Sequence, residues 1–168
     1  MKPLAPDYWP KELSEIRDFL GSPLNIHNVM AHHPDLMKAW SPLRNYVVGE
    51  SSLSPRQREL LILRTACNCD AGYEWAHHVE RGLKAGLDQS EIECVKQGPA
   101  APGWSPNEAA LLSAADDCHR NYLVTTKTLE ALDQYFNTQQ QLDIAVTVGM
   151  YMTLALIIKT WDVPLEDD

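Results

Sequence analysis

The sequence lacks a long uncharged apolar run. Its main apolar stretch without a charged residue is the fifteen residues Ile144–Ile158, and this stretch carries Thr147, Gly149 and Thr153. A bilayer span needs about 20 predominantly apolar residues, so we expect a buried core helix here and no membrane association. The opening segment, Met1–Pro6, also lacks the apolar region of a secretory signal. A cytoplasmic location is therefore expected.

Basic residues are scarce. Lys and Arg number 14 against 23 Asp and Glu, which gives a net charge of −9 and a pI of about 5.0. A nucleic-acid surface needs a stripe of Lys or Arg to replace the phosphate counterions. The charge balance argues against nucleic acids and anionic membranes as partners. A small anionic substrate remains compatible with it, because a local Arg can outweigh the global field.

Cysteine and histidine motifs of known metal or redox sites are missing. The sequence has no Cys-x-x-Cys and no His-Glu-x-x-His, so we predict no metal site. A disulfide across the single residue between Cys67 and Cys69 is geometrically awkward, and reduced thiols are expected in a cytoplasm. Nucleophilic catalysis by Cys69 with a nearby imidazole is an alternative.

Strand patterns are nearly absent, whereas helix-start chemistry recurs. Ser54–Gln57 and Ser105–Glu108 each place an N-cap Ser before a Pro, with Gln or Glu at the third helical position. Thr138–Gln141 resembles them. The helices that these starts predict are Pro55–Cys67, Pro106–Tyr122 and Gln139–Thr160.

The length of 168 residues fits one domain. We predict a single-domain all-α helical bundle over residues 1–168, with seven to nine helices. Residues 1–10 hold three prolines and are expected to form an irregular arm. Residues 96–104, rich in Pro, Gly and Ala, are expected to form an internal linker.

An acidic residue lies deep in the predicted helix Pro55–Cys67. Glu59 directly precedes the apolar run Leu60–Leu63, and a helix with so much apolar circumference is largely buried. Glu59 is then either paired or raised in pKa. The alternative is that it lies at an exposed edge with Arg56 and Arg58.

The next helical segment begins Tyr73-Glu74-Trp75-Ala76-His77-His78. Glu74 and His78 share a face at four-residue spacing, and so do Tyr73 and His77. The two histidines point about 100° apart, so one is expected to face a pocket while the other packs. A buried Glu beside a His can form a proton relay near neutral pH. A purely structural role for these residues is the alternative.

These segments together resemble a known family. Arg58–Arg64, Tyr73–Val79 and Ala85–Leu87 closely resemble the carboxymuconolactone decarboxylase family, which also contains alkylhydroperoxidase D. The likeness extends over roughly residues 13–166. It implies an all-helical domain of the alkylhydroperoxidase D-like type that forms homo-oligomers, commonly trimers or hexamers.

The register separates two branches of this family. The alkylhydroperoxidase D branch has a Glu, a Cys-x-x-Cys that begins twelve residues later, and a His four residues after the second Cys. Counting from Glu59 reaches Ala71, Glu74 and His78, so the acid and the His match while both cysteines are absent. The resemblance therefore favours the decarboxylase branch, whose members act without a cofactor in aromatic catabolism.

This branch implies a carboxy-lyase that acts on a small cyclic or aromatic-derived acid or lactone. Loss of carbon dioxide beside an unsaturated lactone leaves a dienolate, which must be stabilised and protonated at carbon. The resemblance implies that His78 delivers this proton and that Glu59 orients it. The residues expected to hold the substrate carbonyl or to exclude water are Tyr73, Glu74, Trp75, His77 and Tyr151.

The sequence is also compatible with two other functions. One is a thiol-based antioxidant enzyme similar to alkylhydroperoxidase, in which Cys69 would be the reactive thiol. The other is a non-catalytic helical oligomer that binds a small ligand.

Overall fold

Nine α-helices form the framework of residues 1–166, the part of the chain that the computed structural model describes. No strand occurs within these residues, which confirms the predicted all-α class. A π-helical turn, Tyr46–Glu50, follows the third helix. The helices are α1 (Ser14–Leu20), α2 (Asn25–Met30), α3 (Pro34–Asn45), α4 (Pro55–Asn68), α5 (Gly72–Lys84), α6 (Gln89–Gln97), α7 (Pro106–Asn121), α8 (Thr126–Leu132) and α9 (Thr138–Trp161).

The two Ser-Pro helix starts behave as predicted. At α4, the Gln57 amide donates to Ser54 Oγ at 3.3 Å and the Ser54 amide donates to Gln57 Oε1 at 2.9 Å. At α7, the Ser105 amide donates to Glu108 Oε2 at 3.0 Å. Each capping box satisfies amides that the first helical turn leaves without partners.

The start of α9 differs by one residue from the prediction. The capping residue is Asn137, because its Oδ1 accepts from the Gln140 amide and its own amide donates to Gln140 Oε1, both at 3.0 Å. Asn is at least as good an N-cap as Thr, so the helix begins at Thr138. The sequence pattern also missed α8, whose cap, Thr125, lacks a Glu or Gln three residues later.

The chain groups into two compact units, and the single-domain assignment therefore stays a prediction. The first unit comprises Met1–Glu50 together with the chain from Leu156 onward. The N-terminal arm is held in this unit, because the Trp9 Nε1–H group donates to Asn28 Oδ1 at 3.0 Å and Trp9 is buried.

The second unit, Ser51–Ala155, is built around α4. Leu61 lies in a cluster with residues of α7, α8 and α9, whereas Leu60 and Leu63 lie in another cluster with residues of α6 and α7. Because apolar side chains cover α4 on both sides, the helix offers no solvent-facing edge at Glu59, which is 6% exposed. The alternative of an exposed Glu59 beside Arg56 and Arg58 is therefore wrong.

A buried ion pair joins α4 to α7 in this unit. Arg64 Nε and Nη2 donate to the two carboxylate oxygens of Asp116 at 2.6 and 2.9 Å. Arg64 Nη1 also donates to the carbonyls of Val95 and Lys96 at 2.9 and 3.0 Å. These bonds hold the end of α6, which continues to Gln97, so the non-helical segment here is 98–105 rather than 96–104.

The last helix, α9, is long and apolar enough to cross a membrane by length and composition alone. Half of its most apolar window is buried inside the protein, however. Its residues Ile144 and Val148 are fully buried in the cluster around Leu61. This helix therefore serves as a core helix, as the sequence predicts.

Candidate active site

A buried carboxylate and a buried imidazole meet between α4 and α5. His78 Nδ1 and Glu59 Oε2 are 2.6 Å apart. The tight connection after α4 produces this pairing, because Asp70 adopts a left-handed φ of 49° and the Ala71 amide donates back to the Ala66 carbonyl. Helices joined by so short a connection pack side by side. Glu59 is therefore paired, as one of the two predicted states required.

Arg81 sets the tautomer of His78. The Arg81 Nη1–H group donates to His78 Nε2 at 3.0 Å, and a guanidinium can only donate. Nε2 is therefore the acceptor, and the proton of the neutral ring lies on Nδ1, where it is donated to Glu59. Burial lowers the pKa of His78, and the positive charge of Arg81 adds to this, whereas the bond to Glu59 opposes it.

Glu74 approaches the same imidazole from the side of Nε2. Its Oε2 lies 3.5 Å from His78 Nε2, and the side chain is buried. Burial raises the pKa of Glu74 to about 7, with a further contribution from the negative Glu59, while Arg81 acts in the opposite direction. Because His78 is neutral at this pH, the contact is not an ion pair. Glu74 is an acid that gains and loses its proton close to neutral pH.

Aromatic rings enclose part of this cluster. The Tyr151 ring meets the His78 ring edge to face, with centroids 5.0 Å apart, and Tyr151 is buried. Tyr73 and His77 form a neighbouring pair with centroids 4.7 Å apart. The two histidines therefore have different contacts, because His78 joins the acids while the His77 ring meets the Tyr73 ring edge to face.

Trp75 lies apart from His78 in its contacts. It packs against the apolar cluster of Leu60 and Leu63, and the Lys96 ammonium lies 5.0 Å from the centre of its ring. Together with Cys67, Trp75 and Lys96 line a separate cavity of about 250 Å³. The structure therefore brings four of these residues together, Glu59, Glu74, His78 and Tyr151. Trp75 lies at the separate cavity instead.

Sequence reasoning missed Arg81 as a member of the site. It lies three residues after His78, a spacing that puts two helical side chains on the same face, so the signal was present in the sequence. Arg64, on α4, pairs with Asp116 instead.

The cysteines lie outside this cluster. None of the four forms a disulfide within residues 1–166, and Cys69 Sγ lies 3.7 Å from Nδ1 of His119. Within residues 1–166, no group of three or more His, Cys, Asp or Glu side chains is arranged to hold a metal ion.

Solved structures define the class to which this architecture belongs. The alkylhydroperoxidase D core of an uncharacterised peroxidase-related protein from Ralstonia eutropha superposes with a TM-score of 0.84 at 18% identity, covering 99% of this chain and 92% of that one. An uncharacterised peroxidase-related protein from a Silicibacter species gives 0.82 at 19% identity, covering 99% and 95%. The debrominase Bmp8, solved as a cysteine-to-alanine variant with 2,3,4-tribromopyrrole, gives 0.83 at 16% identity, covering 99% and 91%. The chain has the alkylhydroperoxidase D-like fold.

The family follows from the sequence match. The model of the carboxymuconolactone decarboxylase family matches residues 34–117, which is half of the chain. The chain therefore belongs to this family. No curated protein matches it in sequence.

Proposed function

We propose that this protein is a cofactor-independent carboxy-lyase of the decarboxylase type, acting in the cytoplasm on a small cyclic or aromatic-derived acid or lactone. The observation that carries the proposal is the buried contact of Glu59 with His78, beside a second acid, Glu74, whose pKa is about 7. A carboxyl group whose pKa lies near 7 thus shares one buried position with an imidazole and a second acid.

The residues in register with the redox cysteines of the alkylhydroperoxidase D branch support proton transfer over thiol chemistry. Ala71 and Glu74 occupy these positions. Cys69, which neighbours them in sequence, contacts His119 rather than His78. A carboxyl group at position 74 can donate a proton but cannot form a disulfide.

The reaction needs one proton, and the cluster can supply it. When the bond between the substrate carbon and its carboxylate breaks, the electron pair stays on the carbon as an enolate and carbon dioxide leaves. The protonated Glu74 then gives its proton to Nε2 of His78, and the imidazolium passes it to that carbon. The carboxylate of Glu74 regains a proton from water. Glu59 stabilises a transient imidazolium through the hydrogen bond to Nδ1, while the Tyr151 ring keeps water from His78.

The test is a substrate screen with a matched pair of variants. Small unsaturated lactones and aromatic acids are incubated in deuterated water, and NMR follows carbon dioxide release and deuterium incorporation. His78→Gln should lower turnover at least about a hundredfold, because an amide cannot relay a proton. Its melting curve shows whether the fold is retained. Turnover equal to wild type would remove His78 from the mechanism.

Two control variants address the thiol alternative. His119→Gln makes the same chemical change at the imidazole that contacts Cys69, and a double replacement of Cys67 and Cys69 by Ser removes both neighbouring thiols. If the chemistry is proton transfer, both control variants should keep wild-type turnover. Loss of activity in either control would assign the chemistry to the thiol instead.

We also propose that the chain assembles into a homo-oligomer, a trimer or a hexamer. An exposed apolar face of α9 supports this, because Leu142 is 63% exposed and Val146 is 39% exposed. A second copy of the chain would cover such a face without burying charge. Light scattering should give a multiple of 18.9 kDa, and Leu142→Glu should reduce it. A monomeric wild type would refute the assembly.

A further inference from the structure

Arg81 differs from its neighbours in the cluster by its access to solvent. Glu59, Glu74 and His78 are buried, with His78 only 1% exposed. Arg81 is half-buried, and its Nη1–H group donates to the Nε2 atom of His78. A charged ligand that enters from solvent therefore meets Arg81 before it meets the proton-transfer groups.

The Arg81 guanidinium has more N–H donors than it uses within the protein. Within residues 1–166, the hydrogen bond to His78 is the one that Arg81 makes, and an arginine carries five N–H donors in a planar fork. This fork matches the geometry of a carboxylate, which it binds through two parallel hydrogen bonds. The remaining N–H donors of Arg81 are therefore available to a bound carboxylate.

Other cations of the same unit are already engaged. Arg64 is held by Asp116, and Arg56 Nε donates to Glu108 at 2.8 Å. Lys96 lies over the Trp75 ring and pairs with Glu93. None of these contacts leads to His78, which leaves Arg81 as the cation that the structure places on the reactive imidazole.

We infer that Arg81 binds the carboxylate of an acidic substrate and that this binding withdraws the guanidinium from Nε2 of His78. The inference rests on the proposed function, because it supplies the substrate class of the same site. Without ligand, Nε2 is occupied by a donor that cannot accept a proton. With a carboxylate in place, Nε2 is released toward Glu74 and the substrate. Arg81 is then a substrate-binding residue that couples ligand binding to the availability of the relay.

The role predicts a particular kinetic signature. A carboxylate that is bound in both the ground state and the transition state contributes uniform binding, so losing Arg81 should raise KM more than it lowers kcat. Loss of a proton-transfer group such as His78 should act on kcat instead. The two kinds of residue are therefore distinguishable once a substrate is in hand.

A binding experiment tests the inference without any turnover. Benzoate and acetate serve as anionic probes, with benzamide and acetamide as neutral counterparts, and calorimetry measures the affinities. Wild type should bind an anionic probe at least about tenfold more tightly than Arg81→Gln does, because charge-assisted hydrogen bonds are lost. Arg81→Lys should lie between them, since it retains the charge without the fork. The neutral probes should bind all variants equally weakly.

The matched control is Lys84→Gln. It removes the same charge from the same helix, one turn further along, at an exposed residue that pairs with Glu80. Its affinity for the anionic probes should equal that of wild type. In histidine-labelled wild type, the ¹⁵N resonance of His78 Nε2 should move when the anionic probe binds, because it loses its donor. The same shift should be absent in Arg81→Gln.

Two results overturn the inference: equal affinity of wild type and Arg81→Gln for the anionic probes, or no binding of either anionic probe to wild type. Neither depends on the proposed reaction. His78→Gln with normal turnover would refute the proposed function while leaving the anion-binding result to decide the role of Arg81.

Discussion

Replacing Glu74 with glutamine removes a buried carboxyl group without changing the size of the side chain. Glu74 is buried beside Glu59, His78 and Arg81, and its pKa lies at about 7 rather than 4.5. A glutamine at this position cannot ionise. The difference in stability between the variant and wild type should therefore depend on pH, and the dependence reports the environment of the carboxyl group.

The sign and the magnitude follow from proton linkage. A group whose pKa is raised on folding contributes stability below its unfolded pKa and loses it as pH rises through the folded pKa. At pH 4 the Glu74 carboxyl is therefore neutral and carries no cost of burying a charge. Above pH 7 it is ionised, and the folded state has to bury its charge. About 1.4 kcal/mol corresponds to each pKa unit, so the ionised form costs the folded protein about 3 kcal/mol. The free energy of unfolding of Glu74→Gln, relative to that of wild type, should therefore rise by this amount between about pH 4.5 and pH 8.

Urea unfolding of both proteins at several pH values measures this difference. The titration of His78 is common to both proteins and largely cancels. Glu80→Gln serves as the control on the same helix, because Glu80 is exposed and its hydrogen bond with Lys84 lowers its pKa. This control should not become more stable than wild type as pH rises. A stability difference for Glu74→Gln that stays constant from pH 4.5 to 8 would refute the raised pKa and remove Glu74 as the proton donor.

Two further substitutions test the packing around the site. A Cβ on Gly98 would lie 2.7 Å from Arg64 Nη2, and the residue has a φ of 85°, so Gly98→Ala should destabilise the protein by at least about 1–3 kcal/mol in urea unfolding. Thr147 is fully buried, and its hydroxyl has no hydrogen-bond partner among residues 1–166. Thr147→Val should therefore raise the free energy of unfolding by about 1 kcal/mol.

Matched variants separate the causes in each case. Gly103 also has a positive φ but has open space around its Cβ position, so Gly103→Ala should cost less than Gly98→Ala. Equal costs would show that Arg64 is not displaced. The hydroxyl of the buried Thr65 donates to the Leu61 carbonyl at 2.7 Å, and Thr65→Val should not stabilise the protein. Destabilisation by Thr147→Val would mean that this hydroxyl is satisfied after all.

Local signals account for the helices that were predicted correctly and for the ones that were not. The capping boxes at Ser54 and Ser105 are readable because both partners lie within four residues of each other. The helix α8 was missed because Thr125 acts as a cap on its own, with its hydroxyl bonded to Asp117 eight residues earlier. Because such a contact does not recur at a fixed spacing, no periodic pattern in the sequence predicts it.

The amino-acid sequence by itself determined the all-α class, the boundaries of α4, α7 and α9 to within one residue, and the register that places Glu59, Glu74 and His78 in the positions of a known family. These properties depend on neighbours within one or two helical turns. Tertiary structure decided that Glu59 is paired with His78, that Arg81 occupies Nε2, and that the pKa of Glu74 rises to about 7. Each of these depends on burial and on charges brought together from two helices, because desolvation and hydrogen-bond geometry exist only once α4 and α5 have packed.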